Sequence, residues 1–451
     1  MHQYDERADE LVRSLMELCQ ERLQMAAPLD FSRSPADLLE ECGQTITPDG
    51  LGPRVADMWA DVLAPACLSV DHPRYLSFIP GAPTKAAAGF DMLVGASSVY
   101  AGTWLEGSGT VFAENQALRW VADLAGLPPE AGGVFVQGGT IGNLSALVAA
   151  RSAAQHRRGS RPPRWAVLLT DETHSSVKHA LESVMDVDVV LLPGDDRGRL
   201  TGETVRGWVA EATPEQRDAV FAVVGTAGTT NLGVVDDLAG IADVAEEQGW
   251  WFHVDGAYGG AGLVVPDLRG LYDGIERADS FIVDPHKWLF APYDCCALLY
   301  RDPVLARAAH TQRAGYLDPV TIEGEWNPSD FAIQLTRRAR GLPFWFSLAV
   351  HGTEAYRRAV EQTLEVTRAG RDLIDRADHL RLLVEPDLSV LIFERIGWEA
   401  EDYAAWSERL LRDQVGFVTP TKHRGRTCTR FAIVNPLTTV EDLADIVESM
   451  R

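Results

Sequence analysis

Apolar residues in this chain follow two rhythms. Between residues 71 and 345, short unbroken apolar runs stand at 133–136, 165–170, 219–225, 250–254, 280–283 and 297–300. Stretches such as 238–247, with apolar residues at helical spacing, alternate with them. Runs this apolar show no water-facing side, so they predict a mainly parallel sheet covered by helices on both faces. Upstream, residues 5–25 place Ala8, Leu11, Val12, Leu15, Met16 and Leu18 on one face of an amphipathic helix, which needs a partner surface. Residues 29–70 are Pro-rich and read as irregular. Downstream, the pattern predicts one long helix over 346–377 and strands at 389–393 and 430–433. A last helix follows, opened by a capping box of Thr438 with Glu441. The expected organisation is an N-terminal helical segment (1–70), a large α/β domain (71–345) and a small α+β domain (346–451).

With 451 residues, 46% of them hydrophobic, the chain can fill such a core. Its formal net charge of −24 disfavours nucleic acid and anionic membranes as partners. No run approaches the ~20 apolar residues of a membrane span, and the polar, acidic start MHQYDERADELV does not resemble a signal peptide. The six cysteines form no CxxC pair, as expected for reduced thiols in a cytoplasmic enzyme. Neither HExxH nor a Cys/His cluster at ligand spacing occurs, so no metal site is expected.

Three segments carry candidate chemistry. In Phe135-Val-Gln-Gly-Gly-Thr-Ile-Gly-Asn143, a strand runs through glycines into a helix, a turn that can bring free N–H groups to an anion or simply connect two elements. Asp255, in Phe252-His-Val-Asp-Gly-Ala-Tyr-Gly-Gly260, falls at the carboxyl edge of the sheet. It could serve a turn, cap a helix or face a cationic ring nitrogen. Lys287, in Ala278-Asp-Ser-Phe-Ile-Val-Asp-Pro-His-Lys-Trp288, stands among apolar and aromatic neighbours, which predicts a lowered pKa and a nucleophilic amine. An anion cradle, a carboxylate and a lysine, in that order, are what pyridoxal 5'-phosphate (PLP) requires for its phosphate, pyridine nitrogen and aldehyde.

Along these segments the chain resembles the PLP-dependent group II amino-acid decarboxylases, which include aromatic amino-acid, histidine and glutamate decarboxylases. The likeness runs from about His72 to about Ile446, through HPRYLSFIP, GGTIGNLSALVAAR, DETHSSVKHA, GTAGTTNLGVVDDLAGIA, WWFHVDGAYGG, ADSFIVDPHKW, QLTRRARGLPFW and FAIVNPLTTVEDL. It implies PLP fold type I, the aspartate aminotransferase-like fold, and a homodimer. It also implies that Lys287 forms the Schiff base, that Asp255 pairs with the pyridine nitrogen, and that His174 and Ala257 cover the two ring faces. By the same resemblance Gly139, Thr140, Ser280 and His286 hold the phosphate, and Thr230 lies beside the ring. Tyr316, in a loop read from its Gly and Pro content as a closing lid, returns a proton to the α-carbon.

Positions that line the side-chain pocket in the aromatic enzymes carry Phe78, Ile79, Tyr100 and Gly102 here; a glycine at 102 is expected to open space. These departures point to a non-standard, aliphatic or acidic L-amino acid rather than a standard aromatic one. The substrate is either free or tethered to an acidic carrier protein that the basic run 422–426 could meet. The alternatives are other reactions on the same fold: an oxidative aldehyde synthase, a lyase or an aminotransferase. Tyr316 argues against the first of these.

Overall fold

The structure is a computed structural model that describes residues 2–312 and 325–451. Among the described residues, the large sheet contains β1 (Gly132–Val136), β2 (Ala166–Thr170), β3 (Asp188–Leu192), β4 (Val220–Thr226), β5 (Trp251–Asp255), β6 (Ser280–Val283) and β7 (Cys296–Tyr300). Their order is β1-β7-β6-β5-β4-β2-β3. The five strands from β6 to β3 are parallel, and β7 runs antiparallel to both β6 and β1. The mainly parallel sheet is therefore as the apolar runs predict.

Burial explains why these runs lack alternation. In β4, Val223 packs into the core on one face while Ala222 and Val224 pack into the core on the other. Each face is covered by helices, Leu238–Gln248 on one and Gly139–Arg158 on the other. β3 was not among the predicted runs. It is an edge strand, only partly buried, and Asp186 and Asp188 break its apolar pattern. At β1 the backbone passes so close to β7 that a Cβ on Gly133 would lie 1.8 Å from the Leu298 carbonyl oxygen, so only glycine fits.

Three other expectations need correction. Residues 29–70 are not wholly irregular, because helices form at Pro35–Cys42 and Arg54–Met58. The first has its own start signal, a capping box between Ser34 and Asp37 with proline in the first turn. The single helix expected over 346–377 is two, Leu342–His351 and Thr353–Arg376, parted at Gly352 with φ +74°. The last helix, Val440–Glu448, is capped one residue later than expected, by Thr439 with Asp442. Thr438 instead donates to the Pro73 carbonyl at 2.6 Å.

The small domain holds an antiparallel sheet of β8 (Leu380–Val384), β9 (Val390–Arg395), β10 (Pro420–His423) and β11 (Arg426–Ala432), in the order β10-β11-β9-β8. Both β8 and β10 are edge strands that escaped prediction; β8 is interrupted by exposed Arg381 and β10 is polar with no buried residue. Residues 74–77 run along this sheet: Leu76 N–H donates to Phe417 O and Leu76 O accepts from Ala432 N–H. Arg337 and Glu114 form a buried ion pair whose guanidinium also bonds the carbonyls of Ala101 and Phe135. Through its two terminal nitrogens Arg337 ties the 100–102 loop to the end of β1. Removing one member of the pair would strand a buried charge.

The N-terminal helix Glu6–Gln24 forms as predicted, but none of its residues is buried. Leu11, Val12, Leu15 and Met16 are 36%, 41%, 44% and 54% exposed. No helix among the described residues is long and apolar enough to cross a membrane.

Candidate active site

β4, β5 and β6 are parallel neighbours, so their carboxyl ends open at one edge of the sheet, where open α/β folds bind ligands. Asp255 ends β5, paired in register with Thr226 of β4 and Ile282 of β6. The turns after β5 and β6 are joined by hydrogen bonds from Gly256 N–H to Ile282 O and from Asp284 N–H to Ala257 O. Lys287 N–H then donates to Asp284 O, which fixes the lysine at the same edge as Asp255. The helix Gly139–Arg158 enters from β1, and its N-cap, Gly138, has no side chain to cap the first N–H groups.

These elements enclose a cavity of about 330 Å³. Of the residues predicted from sequence, Gly139, Thr140, His174, Thr230, Asp255, Ala257, His286 and Lys287 line it. The Asp255 carboxylate accepts from Asn143 Nδ2 at 2.9 Å and from Ala257 N–H at 3.0 Å. His174 Nδ1 accepts from Ser176 N–H at 3.3 Å and lies 2.8 Å from the Ser176 hydroxyl. His286 is held through its Nδ1, 2.7 Å from the Cys295 carbonyl oxygen.

The lysine's environment differs from the expectation. Lys287 Nζ lies 2.9 Å from Asp284 Oδ2. Burial alone would lower the amine's pKa, but the Asp284 carboxylate raises it above its ordinary value. For Asp284, burial works upward, and the charges of Lys287 and His286 hold the carboxyl below its ordinary value. The apolar neighbours were visible in the sequence. The dominant acid three residues upstream was read only as part of the motif.

Five predicted residues do not line this cavity within the one chain. Ser280 does not reach the cavity; its hydroxyl is buried between Trp251 Nε1 and His253 Nδ1, each 2.8 Å away. Phe78 is 57% exposed at φ +54°, with its ring 6.3 Å from that of Phe417, and Ile79 is buried in the core. Tyr100 hydrogen-bonds the Leu335 carbonyl. Gly102 does not open space within this chain, because a Cβ there would lie 2.3 Å from the Tyr100 hydroxyl, whose ring fills the gap. Tyr316 and residues 313–324 of the lid expected over 311–330 lie outside the described residues, whereas its last part is packed, with a buried helical turn at Pro328–Asp330.

Sequence reasoning passed over Gln137, Asn143, Thr226, Asp284 and Asp294, which also line the cavity. Asn143 stood inside a quoted motif, a polar residue opening an apolar helix. Three buried oxygens on the lining, Gln137 Oε1, Thr226 Oγ1 and Asp284 Oδ1, have no hydrogen-bond partner among the described residues. A cradle of uncapped N–H groups, orphaned polar atoms, an amine and a carboxylate fits a polar cofactor with an anionic end. Gly139 is part of that cradle: a Cβ on it would meet Asp284 Oδ2 at 3.2 Å and Ala257 Cβ at 3.4 Å.

Comparison with known proteins agrees with this geometry. The sequence profile of the pyridoxal-dependent decarboxylase conserved domain matches residues 45–396. An aromatic-L-amino-acid decarboxylase of Bacillus atrophaeus is 30% identical over 393 residues, covering 85% of this chain and 81% of the relative. An L-2,4-diaminobutyrate decarboxylase of Rhizobium meliloti (strain 1021) is 29% identical over 413 residues, covering 89% and 82%. Among solved structures, Oryza sativa TDC with PLP and tryptamine has the same fold, with a TM-score of 0.90 at 24% identity over 100% of this chain and 99% of that one. The chain therefore belongs to the pyridoxal-dependent decarboxylase family, and pyridoxal phosphate is its cofactor.

Proposed function

We propose that this enzyme removes the α-carboxylate of a free L-amino acid with a neutral or basic side chain and yields the corresponding amine. The observation that carries the reaction is the convergence of Lys287, Asp255 and the uncapped helix start at Gly139 on one cavity. Bound pyridoxal phosphate supplies the electron sink for the pair left on the α-carbon when CO2 departs. Lys287 holds the cofactor covalently through Nζ. Asp255, with a hydrogen-bond donor on each carboxylate oxygen, keeps a proton on the pyridine nitrogen. The Gly139 and Thr140 N–H groups and His286 take the phosphate, and His174 and Ala257 bound the ring. Return of a proton to the α-carbon is assigned to Tyr316. Such a tyrosine supports an amine product over the aldehyde of an oxidative synthase.

Charge supports the substrate class. Among the described lining residues, the acids are Asp255, Asp284 and Asp294, and the only Lys or Arg is Lys287. Asp294 is ion-paired with Arg340. Among the described residues the site offers an acidic side chain no free lysine or arginine, which argues against the acidic substrates entertained from sequence. CO2 release from a panel of tyrosine, tryptophan, ornithine, lysine, 2,4-diaminobutyrate, aspartate and glutamate checks this. Turnover is expected among the neutral or basic members, and fast turnover of aspartate or glutamate overturns it. No turnover of any free amino acid would favour the carrier-tethered alternative.

We further propose a homodimer. The apolar face of Glu6–Gln24, exposed through Leu15 and Met16, supports it, because such a face is stable in water only when covered. Phe78, exposed at 57%, would then face the partner. Light scattering is expected to give about twice the 49.4 kDa chain mass, and an active monomer would refute the assignment.

A further inference from the structure

Asp255 is the last member of a buried chain of hydrogen bonds that leads away from the cavity. Trp251 Nε1 lies 2.8 Å from Ser280 Oγ, and Ser280 Oγ lies 2.8 Å from His253 Nδ1. His253 Nε2 lies 2.7 Å from Asn143 Oδ1, and Asn143 Nδ2 lies 2.9 Å from Asp255 Oδ2. All five side chains are buried.

The proton direction follows from both ends. An indole N–H only donates, so Ser280 Oγ accepts from Trp251. An ionised carboxylate only accepts, so Asn143 turns its amide nitrogen to Asp255 and its carbonyl to His253. His253 Nε2 must therefore carry a proton. Burial pushes the His253 imidazole down to about 4, so Nδ1 is bare and takes the Ser280 hydroxyl proton. Every bond then points toward Asp255, and bonds aligned this way polarise one another. A histidine inside a fully buried strand otherwise only adds a desolvation cost over the apolar residues around it.

Building on the cofactor reading above, we propose that His253 is a positioning residue: neutral, with its proton on Nε2, it locks Asn143 and through it turns the Asp255 carboxylate toward the pyridine nitrogen. Ser280, expected to hold phosphate, acts instead as the donor that sets the His253 tautomer.

The test uses the holoenzyme and compares wild type, His253→Gln and His253→Leu. Glutamine keeps an amide donor for Asn143, whereas leucine has none. Hydrogen bonds to charged groups are worth ~1.5–3 kcal/mol, so His253→Leu is expected to speed cofactor loss on dilution by about tenfold or more, read from the visible spectrum. It is also expected to lower kcat with little change in KM, and His253→Gln recovers most of both losses. A leucine variant with wild-type cofactor retention and kcat overturns the proposal. So does a glutamine variant as impaired as leucine, since that would mean packing alone matters. If His253→Leu fails to fold, nitrogen-15 NMR of the wild-type imidazoles decides. A neutral His253 protonated at Nε2 supports the assignment, and the Nδ1–H tautomer or an imidazolium overturns it. Lys287→Ala, run in parallel, separates the two levels. If it keeps the spectrum of lysine-linked cofactor, the cofactor reading itself fails; if it loses that spectrum while His253→Leu behaves as wild type, only the role of His253 fails.

Discussion

Lys287→Ala is expected to abolish CO2 release, by on the order of 10⁴-fold or more, as for loss of a covalent catalytic group. It should also erase the visible absorbance of lysine-linked cofactor. Among the described lining residues no other lysine is available to replace it. The structure adds a second consequence. Lys287 is the nearest cation to buried Asp284, so the alanine variant takes away that carboxylate's main ion-pair partner. Breaking a buried pair from one side costs about 3–5 kcal/mol, and the variant should melt at a lower temperature. Lys287→Arg separates the two effects, because it keeps a cation for Asp284 but has no amine to link the cofactor. It is expected to recover stability and no activity. Full turnover in either variant would sink the assignment of Lys287.

Asp255→Asn is expected to retain cofactor through Lys287 and to lose at least about a hundredfold in kcat, the scale of removing one preorganised electrostatic group. Two effects combine. The neutral amide no longer holds a proton on the pyridine nitrogen, which weakens the electron sink. The amide also disturbs its own support. The wild-type carboxylate accepts from Asn143 Nδ2 and from Ala257 N–H, one on each oxygen. An asparagine has a single oxygen, so its NH2 group would face one of these donors, at a cost of about 1–3 kcal/mol. If Asn143 flips in response, its amide nitrogen meets the proton on His253 Nε2, and the mismatch passes along the chain. Measured kcat together with the bound-cofactor spectrum checks the prediction, and near-normal turnover would remove Asp255 from its role.

Local sequence determined much of this protein. The apolar runs foretold the parallel sheet because strands covered on both faces need no polar alternation, and β4 is buried at all seven positions. The same logic hid the edge strands: β3 opens on Asp188, β8 is interrupted by exposed Arg381, and β10 is polar. Asp255 and Lys287 were legible as site residues because one ends a strand and the other follows one, where parallel topology brings side chains to one edge. What sequence could not determine was which neighbour dominates each group. Apolar residues around Lys287 suggested a depressed amine, but a single carboxylate at 2.9 Å outweighs them, since electrostatic interaction falls with distance and grows with burial. Ser280 stood in the right motif, yet it begins a buried strand with its hydroxyl under the sheet rather than at the cavity. Gly102 suggested open space that the Tyr100 ring fills. His253 looked like one polar residue in an apolar strand. Its meaning depends on Asn143, 110 positions away in the chain, and only folding puts the two within a hydrogen bond.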